Sequence, residues 1–148
     1  MKVMQDWYEC KVTYEKEMSN GSTKKVTESY LIDAVNYTEA EARITQCVQT
    51  EIASVFTIAD IKKQKFAEVI ASELSESGNR WYKCKVMYVV MDDKTGEEKR
   101  QPSMLLIQAK DFKAVIGRIA QHCADSANDW EIYSVTESCI LGVYRLAH

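Results

Sequence analysis

Trp7, Lys11, Trp81 and Lys85 are the side chains of this sequence whose types and spacing most invite chemistry. Each tryptophan stands four residues before a lysine, in WYECKVTY (7–14) and again in WYKCKVMY (81–88). An aromatic plane near an ammonium can cradle a planar anion such as a nucleotide: the ring stacks on the base and the cation faces the phosphate. The same residues could instead seal a seam between two sheets, the lysine stems covering its rim. Arg43 and Arg118 flank helical apolar stripes, where a guanidinium grips a carboxylate or phosphate bidentately or forms an internal ion pair. Tyr37 and Phe112 fall at the expected helix starts, where free backbone N–H groups can hold an anion and where a ring can also pack on the sheet edge. These eight residues form the candidate ligand-binding set.

Catalytic constellations are thin by comparison. The two histidines are His122 and His148, and His122 adjoins Cys123, so on a helix the two side chains diverge. No phosphate-binding glycine loop, nucleophile elbow or H-E-x-x-H pattern occurs. The five cysteines (Cys10, Cys47, Cys84, Cys123 and Cys139) are odd in number and include no C-x-x-C pair, which argues against a disulfide framework or zinc ribbon. The expectation is therefore a non-enzymatic protein without cofactor or metal, with reduced thiols and a cytoplasmic location. A net charge of −3 gives no general attraction to nucleic acid or acidic lipid. No apolar run is long enough for a signal peptide or a membrane span.

The elements that would position these residues occur twice. Trp7, Tyr8, Cys10, Lys11, Val12 and Tyr14 reappear 74 residues later as Trp81, Tyr82, Cys84, Lys85, Val86 and Tyr88. Leu31-Ile32 and Arg43-Ile44 return 75 residues later as Leu106-Ile107 and Arg118-Ile119. A tandem duplication follows. In each copy an alternating strand (7–17 in the first) is followed by a turn, Asn20-Gly21 supplying the positive-φ positions of the first and Gly96 marking the second. Returning strands span about 24–35 and 99–109, with Pro102, the one proline, expected at an edge or bulge. A helix follows, capped by Asn36 or Thr38 in one copy and Asp111 in the other. Its apolar stripe is Ala40, Ile44, Cys47, Val48 and Ile52, echoed by Val115, Ile116, Ile119 and Cys123. Residues 55–70 and 130–145 alternate again, as one bent strand or two.

The fold class is α+β: a tandem ββαβ(β) unit, antiparallel sheets each packed by one helix, in a pseudo-two-fold arrangement. Residues 1–148 are expected to form a single compact domain of two repeats, about 5–70 and 79–146, joined by the polar linker 71–80. One copy alone leaves a sheet face bare, so pairing two copies closes the core.

The duplicated WYxCKVxY strand and the NYTEAEARI helix start resemble an uncharacterised family of short proteins from Bacteroidota and their phages. The resemblance spans essentially the whole chain, and its phage occurrence implies a role in host takeover or counter-defence. The function expected from the residues is a binding protein that holds a small anionic, nucleotide-like ligand and assembles as a homo-oligomer. The alternative is a protein-interaction or structural module without a small molecule, its edge strands pairing with another chain. Nucleic acid and membranes are not expected partners.

Overall fold

The computed structural model describes residues 6–72 and 79–145. Ten elements follow in order: β1 (Asp6–Glu17), β2 (Thr23–Ala34), α1 (Tyr37–Gln49), β3 (Phe56–Gln64), β4 (Glu68–Ile70), β5 (Arg80–Met91), β6 (Glu98–Ala109), α2 (Phe112–Cys123), β7 (Trp130–Glu137) and β8 (Ile140–Tyr144). The two ββαβ(β) repeats are thus plain in the fold. Residues 73–78 of the expected linker lie outside the described residues, and its last residue, Arg80, already opens β5.

Each repeat opens with a hairpin whose turn depends on one glycine. Gly21 and Gly96 have φ of 85° and 71°, the left-handed region that glycine adopts without steric cost. Asn20 does not share that conformation as expected. Its side-chain oxygen instead accepts from the backbone N–H of Ser22 at 3.0 Å, an Asx-type closure. In the second turn the Asp92 carboxylate accepts from the Lys94 N–H at 2.8 Å, and this bond, with the Lys99 ammonium, holds its carboxyl below the usual range.

The hairpins build two four-stranded sheets, in the orders β3-β1-β2-β8 and β4-β6-β5-β7. The pairings β1–β2, β1–β3, β5–β6 and β5–β7 are antiparallel, whereas β2–β8 and β4–β6 are parallel. The sheets are therefore mixed rather than purely antiparallel. The final strand of each repeat does not bend back onto its own sheet: β4 joins the sheet of the second hairpin and β8 that of the first. The chain accordingly divides into one unit of residues 1–65 with 139–148 and another of residues 66–138. Pro102 sits within β6, paired with Met87, but β4 pairs only with Leu105–Ile107, so among the described residues no strand runs along the proline's other side.

One helix packs each sheet. Asn36 and Asp111 cap the helices, their side-chain oxygens accepting from the Glu39 and Ala114 N–H groups at 2.8 Å. In the first unit, Ala40, Ile44, Val48 and Ile52 meet Tyr8, Cys10, Val12, Tyr30 and Ile32. In the second, Val115, Ile119 and Cys123 meet Tyr82, Cys84, Val86, Leu105 and Ile107. Ile116 departs from the expected stripe: one residue after Val115 it is rotated about 100° around the helix, and it stays exposed. The fully buried Tyr82 hydroxyl has no hydrogen-bond partner among the described residues. Tyr82→Phe should therefore raise stability by about 1 kcal/mol, read as a higher urea midpoint; a lowered midpoint would show that the hydroxyl is bonded.

Candidate functional site

Arg43 and Arg118 occupy equivalent positions and do equivalent work. The Arg43 guanidinium donates to the backbone carbonyl of Asp33, at the end of β2, and at 2.8 Å to the Asp33 carboxylate. Arg118 donates at 2.5 Å to the Gln108 carbonyl, at the end of β6, and at 3.0 Å to the Ala71 carbonyl beyond β4. Both tie a helix to the strand it packs on, and Arg118 also fastens the tail of the exchanged strand. Ser72 strengthens that tie, its N–H donating to the Gln108 side chain at 3.0 Å. Donors directed at backbone carbonyls hold the chain together and leave little of the fork for an incoming phosphate.

The tryptophan–lysine spacing does not make a pair. Four residues along a strand span roughly 13 Å, so Trp7 and Lys11, although on one face, are too far apart to touch. Trp7 instead receives the Arg145 guanidinium 5.2 Å from its ring centre. Trp81 is only 5% exposed and has little ring to offer a ligand. Lys85 finds a different aromatic: its ammonium lies 5.0 Å from the ring centre of Tyr133. Each unit thus has a cation–aromatic contact, formed with partners other than those the spacing suggested.

Tyr133 owes its position to a β-bulge. The β5–β7 register runs Lys85 to Ser134 and then Val86 to Ile132, leaving Tyr133 as the extra residue, 64% exposed. The first unit repeats the bulge at Lys11–Val12, where the extra residue is Ala59, which offers no ring. Sequence reasoning passed over Tyr133, yet the signal was present. Trp130, Ile132 and Val135 pack on the core, and the three-residue step from 132 to 135 breaks the period of two.

Tyr37 and Phe112 stand at the helix starts as expected, 53% and 50% exposed. Their rings lean on the core tyrosines, Tyr37 at 4.9 Å from Tyr8 and Phe112 at 5.0 Å from Tyr82 between ring centres. The caps already use helix N–H groups at both positions. Of the eight candidates, then, Lys85 is brought to an exposed ring and Lys11 lies open on its strand. Both arginines are engaged with backbone, and Trp81 is buried.

The thiols divide by environment. Burial pushes Cys10 and Cys84 up to about 12, with Glu9 adding to the effect at Cys10, whereas Cys139 is exposed. A neutral-pH thiol reagent should modify Cys139 rapidly and leave Cys10 and Cys84 intact until the chain unfolds; fast modification of all three would contradict the buried placement. The pH dependence follows. Unfolded thiols lose their protons near 9.0 and the folded pair near 12, so above pH 9 the unfolded state carries fewer protons. The contribution to stability is complete below pH 9 and is lost as pH rises toward 12, which a falling urea midpoint would report.

Among the described residues no group of three or more His, Cys, Asp or Glu could hold a metal ion, and no helix is long and apolar enough to cross a membrane. No curated protein and no solved structure matches the chain. A family model described as a domain of unknown function, DUF4494, matches residues 6–146, almost the whole of the two repeats. The duplicated, strand-exchanged chain belongs to the DUF4494 family.

Proposed function

We propose that the protein is a non-enzymatic binding module that holds a small planar anion of nucleotide type on the second unit, at Lys85 and Tyr133. The observation that carries this reading is the Lys85 ammonium over a solvent-exposed phenol ring which a bulge turns outward. The ring offers stacking surface and the ammonium a charge for a phosphate, and holding a ligand in this way needs no acid, base or metal. On the first unit Lys11 pairs with Asp60 and the bulge residue is alanine, so one strong site per chain is expected rather than two. Sequestration of a nucleotide signal would suit the counter-defence role implied by the resemblance to phage-borne proteins.

Native mass spectrometry of the purified protein, compared between gentle and denaturing conditions, reports a retained anion and the subunit number together. Titration calorimetry with ATP, GTP and a cyclic dinucleotide extends the test to ligands lost in purification. Lys85→Ala and Tyr133→Ala should each weaken binding tenfold or more without lowering the melting temperature. Unchanged affinity in both variants, or no binding by any probe, would sink the assignment.

A second reading, a protein-interaction module, draws on Phe112 and Ile116, exposed one turn apart on α2. It expects an oligomer in the same spectra, with no small molecule retained, and dissociation on Ile116→Glu.

A further inference from the structure

Beyond the C-terminal end of each helix the two units carry different side chains on the same framework. The correspondence is fixed by shared bonds: the N–H of Glu51 donates to the Val48 carbonyl and that of Ser126 to the Cys123 carbonyl, each at 3.0 Å. Cross-strand register likewise matches Glu28 with Ser103, opposite Val12 and Val86. In the first unit this place is filled. Tyr30 donates to Glu28 at 3.1 Å, Tyr144 donates to Glu51 at 2.9 Å, and the two rings lie 5.7 Å apart. The Tyr14 hydroxyl shares the Glu28 carboxylate.

In the second unit every one of these bulky or charged groups except the Tyr14 equivalent is replaced. Leu105 and Ile70 stand for the two tyrosines, Ser103 and Ser126 for the two glutamates. Around Ser103 and Ser126 lies an open depression of about 410 Å³, lined also by Tyr88, Gln101 and Asn128. Val90 and Pro102 complete it with apolar surface. The Tyr88 hydroxyl is held 3.4 Å from the Cys123 sulfur, and the Ser126 hydroxyl accepts from the Asn128 N–H at 3.2 Å.

We propose that this depression is a second binding site, which takes an uncharged small molecule through a vicinal diol, as found on a monosaccharide or on the ribose of a nucleoside. A carboxamide presents a donor and an acceptor side by side, the pattern that two neighbouring hydroxyls complete, and Gln101 and Asn128 supply two of them. Two serine hydroxyls add adaptable donors and acceptors. The Tyr88 ring, Pro102 and Val90 give the carbon-bearing side of the ligand an apolar bed. None of the lining side chains carries a formal charge, so the site has nothing to neutralise a phosphate and is independent of the Lys85–Tyr133 reading. At the corresponding place of the first unit Tyr30, Tyr144, Glu28 and Glu51 bond to one another, so one such site per chain is expected.

The test is an NMR titration of the full chain with methyl glucoside, adenosine and 2′-deoxyadenosine at millimolar concentration. The result expected is a set of shifts confined to the amides of Gln101, Ser103, Ser126 and Asn128, from the glucoside, from adenosine, or from both. Adenosine should act at least tenfold more strongly than its deoxy analogue; the glucoside arm tells a sugar from a nucleoside. Ser126→Glu, which restores the first unit's residue in an exposed loop, should abolish those shifts while the rest of the spectrum stays folded. Silence from all three probes, shifts elsewhere, equal non-zero shifts from the two nucleosides, or shifts that survive Ser126→Glu would each overturn the proposal.

Discussion

Deleting residues 139–148 should unfold the first unit and spare the second. The segment carries β8, which pairs with Ser29–Ile32 of β2, buries Ile140 and sets Tyr144 against Tyr30 and Glu51. Two large side chains lost from packed positions are worth about 1.5–3 kcal/mol each, and the unpaired β2 backbone adds to that. Their sum is comparable with the roughly 5–15 kcal/mol that stabilises a typical domain. Hydrogen exchange measures the outcome residue by residue. Protection should collapse at Leu31 and Ile44 and persist at Leu106 and Ile119. Equal loss in both units would show that they melt as a single cooperative body, and protection retained in the first unit would mean that β8 contributes little.

Arg43→Ala should cost about 3 kcal/mol, because it removes the cation from a carboxylate whose side chain is only 8% exposed. Arg118→Ala should cost about 1.5 kcal/mol, since the groups it abandons are neutral carbonyls at Gln108 and Ala71. The order, rather than either value, identifies the mechanism. Urea midpoints at neutral pH would establish it, and combining Arg43→Met with Asp33→Asn should recover much of the loss by removing the buried charge together with its partner. Equal costs for the two arginines would show that the carboxylate gains nothing from the pair.

Much of the fold was legible because its signals are local. Alternation gave the long strands, glycine the turns, and Asn36 (with Thr38 as the alternative) and Asp111 the helix starts, the expected ranges of β1, β2 and β6 lying within a residue of the observed ones. The destination of the terminal strands was not. Val69 and Val143 read as strand residues, but a three- or five-residue parallel pairing carries no turn dipeptide to say which sheet it enters. Side-chain partners were harder still. Trp7 and Lys11 share one strand face, but strand spacing separates residues four apart, and the contacts found come from Arg145 and from a bulge on another strand. The arginines' position was readable but not their bonds, since a flanking guanidinium meets a ligand or a carbonyl by the same chemistry.

The crossing of the two terminal strands sets an order of events during synthesis. Chains emerge from the ribosome N-terminus first, and their domains fold in that order. Here the second unit can close once residue 138 is out, because β4 already lies upstream of it. The first unit, although it begins the chain, must wait for Ile140–Tyr144. Until then β2 presents the bare edge of Ser29–Ile32 to the cell, a template for strand addition from neighbouring nascent chains. The part made first is the part finished last.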